Sequence, residues 1–161
     1  MYGIIATWRM ALEGISEAAD MLKKSADAGD SIETAIRAVE DFEFYKSVGY
    51  GGLPNEEMEV ELDAAFMDGD TLDVGCVGAI KDYANPVSIA RMLSKEPVNN
   101  FLVGAGAEKY AHRHGFERKN MLTERAKIHY HNRVKETTEN TELKPYSGHD
   151  SVGMVCVVDK G

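Results

Sequence analysis

Three observations predict an α+β fold built on antiparallel pairing. Strand-like and helical runs alternate in pairs along the chain. Asp68-Gly69-Asp70 joins two apolar runs, and Asp-Gly in that setting is a strong hairpin signal that disfavours a doubly wound parallel sheet. No internal repeat and no linker interrupts the 161 residues, so they read as one unit, 1–161, long enough for a real core.

Gly3 to Trp8 is apolar with a β-branched and aromatic bias, and predicts a short buried strand. Leu12, Ile15, Ala18, Ala19, Leu22 and Ala26 then follow helical spacing, with the helix ending at Gly29. Asp30 with Glu33 forms a capping pair for a second helix, which carries Ile32, Ala35, Ile36, Val39 and Phe42 on one face. The run Ser47-Val48-Gly49-Tyr50-Gly51-Gly52 opens a glycine-rich loop that continues to Asn55. Glycines this dense mean positive φ angles or a close approach to something. Val60 to Met67 and Thr71 to Ile80 are the two strands of the hairpin. Asn85-Pro86 starts a helix through Leu93, with proline at its first position. Asn100 to Val103 is a short strand, and Ala105 to His114 a helix closed by Gly115. Thr123 to about Glu136 is a polar helix, and Thr137 to Gly148 a polar, mobile loop without period.

Hydrophobic content of 43% and charged content of 28% describe a soluble globular chain. The net charge of -9 argues against nucleic acid and anionic membrane as partners, since both reward Lys/Arg-rich faces. No apolar run approaches the roughly 20 residues that span a bilayer. Met1 to Trp8 goes straight into a strand-like run, so no signal peptide is expected. Cys76 and Cys156 lie in apolar strands and read as buried free thiols, which suits the cytoplasm; a pairing between them stays open at this point.

The end of the chain carries the chemistry. Gly148-His149-Asp150-Ser151 precedes the apolar run Val152 to Val158. One reading is a turn before a buried strand. The other is a joint at which the chain cuts itself. A serine hydroxyl after an aspartate attacks the carbonyl before it, turns the peptide into an ester, and water completes the cut. The new chain begins at Ser151, whose α-amine has an unperturbed pKa of about 7.7–8 and serves as the base for its own hydroxyl. The run Val152 to Val158 is expected to be buried on both faces. Asp159-Lys160-Gly161 reads as the first half of a hairpin turn, so the chain is expected to continue.

The remaining candidates are weaker. His112 with His114, and His129 with His131, are spaced i, i+2 and face different sides of a helix, unlike the i, i+4 pair of a helical zinc site. Gly104-Ala105-Gly106 lacks the third glycine of a dinucleotide fingerprint and reads as a structural turn. Asn55 to Glu61 reads as a solvated acidic face. No metal and no cofactor is expected.

Thr7-Trp8, Ser47-Val48-Gly49-Tyr50-Gly51-Gly52, Leu62-Asp63-Ala64 with Met67-Asp68-Gly69, Asn85-Pro86 through Ala90-Arg91, Leu102-Val103-Gly104 and His149-Asp150-Ser151-Val152-Gly153-Met154 follow one another in this order along nearly the whole chain. On these motifs the chain resembles glycosylasparaginase (aspartylglucosaminidase) of the N-terminal-nucleophile hydrolases, over the first half or so of the family's precursor. The resemblance implies a four-layer αββα sandwich, incomplete in this chain, with residues 1–150 α-subunit-like and 151–161 opening the β-subunit-like part. It implies self-cleavage between Asp150 and Ser151 and hydrolysis of asparagine side-chain amides, with isoaspartyl peptidase/L-asparaginase or an uncleaved, non-catalytic precursor half as alternatives. Ser151 would be the nucleophile, Asp150 the base for the first proton transfer, and His149 would flank the bond. Ser47 would support the nucleophile and Trp8 would wall the substrate pocket. The implied partners are an asparagine derivative, the remaining C-terminal half of the precursor and an (αβ)2 assembly. The family's substrate-carboxylate arginine, its amine-binding aspartate and its oxyanion-hole residues belong to that other half. The family usually has threonine at the position of Ser151; serine keeps the hydroxyl and loses the methyl that restricts χ1.

Overall fold

The computed structural model of the chain describes residues 1–139 and 151–159. Tyr2–Ala6 forms β1, and a 3-10 turn at Arg9–Ala11 leads into α1 (Leu12–Lys23) and α2 (Ala28–Glu40). The boundary between these helices differs from the expected one. Ser25 adopts φ 63, which ends α1 well before Gly29. Asp27, and not Asp30, caps α2: its Oδ1 accepts the N–H groups of Gly29 at 2.8 Å and Asp30 at 3.2 Å. Gly29 therefore lies inside the first turn of α2. The two helices pack closely because Gly14 carries no Cβ; one there would lie 2.3 Å from the carbonyl oxygen of Ala35. Phe42 falls past the end of α2 and is exposed, so it does not extend the helix's inner face.

The expected hairpin forms. β2 (Leu62–Met67) and β3 (Val74–Ile80) pair antiparallel, Ala65 opposite Cys76, with an irregularity between Leu62 and Ala64. The connection is longer than a tight two-residue turn. Asp68 closes it, donating its N–H to the carbonyl of Asp73 at 2.9 Å and accepting Asp70 N–H on Oδ1 at 3.0 Å. That bond and a second one from Thr71 N–H at 3.4 Å hold the Asp68 carboxyl below its usual range.

α3 (Pro86–Leu93) starts and stops where the sequence predicts, and β4 (Phe101–Val103) follows. β4 pairs with β3 in parallel, Cys76 opposite Phe101, which corrects the expectation of purely antiparallel sheets. The cause is connectivity. A helix intervenes between β3 and β4, and a strand–helix–strand crossover carries the chain back to the end at which β3 began, so that β4 runs alongside it in the same direction. α4 (Ala105–Arg113) and α5 (Glu124–Glu139) complete the helices. α5 takes in Thr137–Glu139, placed in a loop by the sequence reading; the rest of that loop lies outside the described residues.

The last described strand, β5 (Met154–Val158), pairs antiparallel with β1. The described residues thus form a mixed α/β arrangement with two sheets, β1–β5 and β2–β3–β4. α1 packs on β1 and α2 on β5, while α3 covers β2 and β3 and α4 lies on β3 and β4. Val60, Phe66, Val77, Ile80, Tyr83, Ile89, Leu93, Tyr110 and Met121 form the core between α3, α4 and their sheet. Val60 and the Glu59–Lys81 ion pair at 2.8 Å show that the end of the Asn55 to Glu61 stretch is not a purely solvated face. Among the described residues, β5 is covered on one side only. Met154, Cys156 and Val158 are half-buried, whereas Val155 and Val157 are each 66% exposed, contrary to the expected burial on both faces. Both cysteines are free and half-buried. Arg91 ties α3 to α2, reaching Asp30 Oδ1 at 2.7 Å and Glu33 Oε2 at 2.6 Å while its guanidinium lies over the Phe66 ring. Among the described residues, no helix is long and apolar enough to cross a membrane.

Candidate active site

The pairing of β1 with β5 sets the position of Ser151. Ala6 lies opposite Met154, and the ladder runs one pair further through Thr7 and Gly153. Thr7 N–H donates to the Gly153 carbonyl at 2.9 Å, and Gly153 N–H donates to Thr7 Oγ1 at 2.9 Å. The register brings Trp8 and Ser151 to the same end of the strand pair. Trp8 is not the last residue of a buried strand, as the sequence suggests. It turns the chain out of β1 with φ 65, and its side chain is half exposed. Ser151 is exposed and stands just ahead of β5.

Ser47 reaches the same region from the glycine-rich loop. Tyr50 N–H donates to the Glu40 carbonyl at 2.7 Å, Leu53 N–H to the Lys46 carbonyl at 2.8 Å, and Gly51 N–H to the Met121 carbonyl at 2.9 Å. Gly49 is required by both conditions that dense glycines signal. It holds φ +64, and a Cβ there would stand 2.1 Å from the Glu40 carbonyl oxygen. The loop is folded tightly onto the end of α2, two residues after Ser47.

Ser47 and Ser151 line one cleft of about 180 Å³, together with Glu40, Gly49, Asp63, Pro86 and Val87. A second cleft of about 350 Å³ also includes Ser47, with Lys46, Leu53 and Glu61. A wider cavity of about 620 Å³ beside Tyr83, Leu102 and His112 contains none of the predicted site residues. Trp8 stands at the Ser151 end of the strands without lining the smaller cleft. His149 and Asp150 lie outside the described residues. Among the described residues, no group of three or more His, Cys, Asp or Glu side chains has the geometry to hold a metal.

Two cleft residues carry no role in the sequence analysis: Asp63, present there only within a motif, and Glu40. Asp63, in β2, accepts Ala79 N–H on Oδ1 at 2.8 Å across the irregular part of the hairpin. Glu40, the last residue of α2, is only 4% exposed. Its Oε1 accepts Val87 N–H at 3.3 Å and its Oε2 accepts Asn85 Nδ2 at 3.4 Å. Burial pushes its carboxyl up to about 8, against the opposing pull of those two donors. A glutamate at a helix end reads as solvated; only its place beside Val39 on the inward stripe Ser31, Ala35, Val39 hinted otherwise.

The chain matches the Asparaginase family over residues 5–161. It belongs to that family. Within the asparaginase family it is 34% identical, over 161 residues, to N(4)-(Beta-N-acetylglucosaminyl)-L-asparaginase of Elizabethkingia miricola, covering 98% of this chain and 46% of the relative. It is 35% identical, over 158 residues, to the isoaspartyl peptidase/L-asparaginase of Rattus norvegicus, covering 92% of this chain and 46% of the relative. It is 36% identical, over 121 residues, to a plant-type L-asparaginase of Thermococcus kodakarensis, covering 75% of this chain and 39% of the relative. The chain spans about half the length of the curated relatives it matches.

Proposed function

We propose that this chain supplies the nucleophile of an amidohydrolase that acts on asparagine side-chain amides, of the N4-(β-N-acetylglucosaminyl)-L-asparaginase kind. The observation that carries the reading is the shared cleft of Ser47 and Ser151, far apart in sequence. The relative matched over 98% of this chain is by name an N(4)-(Beta-N-acetylglucosaminyl)-L-asparaginase, which supports that substrate over a β-aspartyl peptide or free asparagine. The complete polypeptide comprises this chain and a further half that supplies the rest of the substrate site, finishes a four-layer αββα sandwich and supports an (αβ)2 assembly. The exposed strand faces at Ile5, Val155 and Val157 are where that half packs. The free thiols Cys76 and Cys156 suit a reducing compartment, the cytoplasm.

Maturation and turnover use the same hydroxyl. In maturation, Ser151 Oγ attacks the Asp150 carbonyl as the Asp150 carboxylate takes its proton. The C–N bond breaks, the proton passes to the departing Ser151 nitrogen as its free amine, and an ester forms, which water hydrolyses to free the Ser151 hydroxyl and the Asp150 α-carboxylate. In turnover that amine takes the hydroxyl proton while Oγ attacks the side-chain amide carbonyl. Donors facing the tetrahedral oxygen stabilise its charge, the amine of the sugar leaves with a proton, and a β-aspartyl ester remains. Water releases aspartate. His149 flanks the scissile bond, Ser47 supports the nucleophile across the cleft, and Trp8 walls the pocket.

The test compares the complete polypeptide with Ser151→Ala on glycosylated asparagine, free asparagine and a β-aspartyl dipeptide. The proposal expects hydrolysis by the parent, fastest on glycosylated asparagine, and none by the alanine variant. Hydrolysis that survives in Ser151→Ala refutes it.

A further inference from the structure

Glu40 joins two walls of the cleft at one residue. Its backbone holds the glycine-rich loop: the Glu40 carbonyl accepts Tyr50 N–H at 2.7 Å, and Gly49 lies directly against it. Its carboxyl holds the start of α3 through Val87 N–H at 3.3 Å and Asn85 Nδ2 at 3.4 Å. Asn85 is itself held at φ 52, an uncommon conformation outside glycine, and shares its amide with Asp41 Oδ1 at 3.0 Å. Pro86 and Val87 line the cleft beside Ser47 and Ser151. A carboxyl buried for packing alone is costly, and an apolar side chain would serve better. Each bond Glu40 makes instead ends on the cleft or next to it.

We infer that Glu40 is a positioning residue for the nucleophile, fixing the Ser47 loop and the start of α3 as the two walls facing Ser151. The inference rests on the reading of Ser151 as the nucleophile. Among the described residues, the charged groups around Glu40 are Arg37 of α2, Asp41 just past its end and, in the cleft lining, Glu61 and Asp63. The start of α3 brings only the Asn85 amide and a backbone N–H, and the loop wall brings the neutral Ser47. With its carboxyl pushed up to about 8, Glu40 is neutral at pH 7. Ionisation adds a negative charge to a wall that already includes Glu61 and Asp63. That charge opposes the negative oxygen formed during attack and alters the pull on Asn85 and Val87.

The experiment measures kcat and KM of the complete polypeptide between pH 6 and 10 for the parent, Glu40→Gln, Glu40→Ala and Ser151→Ala. In the parent, kcat falls above about pH 8, with a limiting slope of about tenfold per pH unit, that of one titrating proton. Loss of a proton from the Ser151 amine acts in the opposite direction, so the sign separates the two groups. Glu40→Gln lacks the falling limb. Glu40→Ala loses kcat more than KM at pH 7, because its cleft walls are no longer held. A Glu40→Gln profile that superimposes on the parent's overturns the inference. A parent profile flat from pH 8 to 10 does the same, even if neither Glu40 variant folds. A dead Ser151→Ala beside a parent-like Glu40→Gln refutes the role of Glu40 alone, while an active Ser151→Ala refutes the underlying reading as well.

Discussion

Replacing Gly49 by alanine tests how tightly the cleft wall is built. The residue sits at φ +64, where an L side chain costs about 1–2 kcal/mol. Its new Cβ would lie 2.1 Å from the Glu40 carbonyl oxygen and 2.5 Å from the Glu40 Cα, both backbone atoms that cannot swing aside. Overpacking of that kind costs about 1–3 kcal/mol more. The expected destabilisation is therefore about 2–5 kcal/mol, or at least about 4 °C in Tm for a domain of this size. The control is Gly69→Ala, since no atom lies within 4 Å of a Cβ at Gly69 and its φ needs no glycine. Thermal melts of both variants in the complete polypeptide, followed by circular dichroism, provide the comparison. Gly49→Ala should also slow self-cleavage, because Ser47 stands two residues before the displaced backbone. A Gly49→Ala melt within a degree of the Gly69→Ala melt would refute the tight seating of the loop on α2.

Glu40 should make stability fall with pH. Its carboxyl is pushed up to about 8 from an ordinary 4.5, so the native state keeps a proton that the unfolded chain loses. The contribution is fully present below pH 4.5 and is lost as pH rises through about 8; its upper bound is about 5 kcal/mol. Urea midpoints at pH 5 and pH 8.5 should differ in the parent and converge in Glu40→Gln, and equal differences in both proteins would count against the buried carboxyl. Arg91→Met removes the cation held by Asp30 and Glu33 and should cost about 1.5–3 kcal/mol, less in 1 M salt, by chemical denaturation. Unchanged stability would show that the cluster is dispensable. Ser151→Thr should self-cleave and turn over at least as fast as the parent, because the added methyl restricts χ1. A folded but uncut threonine variant would mean that the cleft is fitted to serine.

Local signals were the legible part of this fold. Asp68-Gly69 marks the β2–β3 turn, Asn85-Pro86 the start of α3, and Gly115 the end of α4, because each residue type enforces its own backbone geometry. Competition between local signals was harder to read. Asp27 wins the cap of α2 over Asp30 because Ser25 breaks the chain at positive φ without any glycine to announce it. The parallel β3–β4 pairing is set by the path of α3, which a strand-by-strand reading does not weigh. In the site, Ser47 and Ser151 are singled out by their motifs and line one cleft, and the dense glycines gave away the close approach at Gly49. Glu40 was invisible because its burial depends on what folds over it, the loop from one side and α3 from the other. The exposed faces of β5 and of Trp8 show the converse: an apolar sequence reports a tendency to be covered, whereas the described residues cover only one side.

The central claim is that Ser151 becomes a chain terminus and acts there. Intact mass spectrometry of the complete polypeptide, with the Ser151→Ala variant alongside, tests it most directly. The account predicts two pieces in the parent, one ending at Asp150 and one beginning at Ser151, and a single uncut chain in the variant. A parent that hydrolyses asparagine amides while remaining a single chain, or a Ser151→Ala variant cut at the same bond, would contradict it.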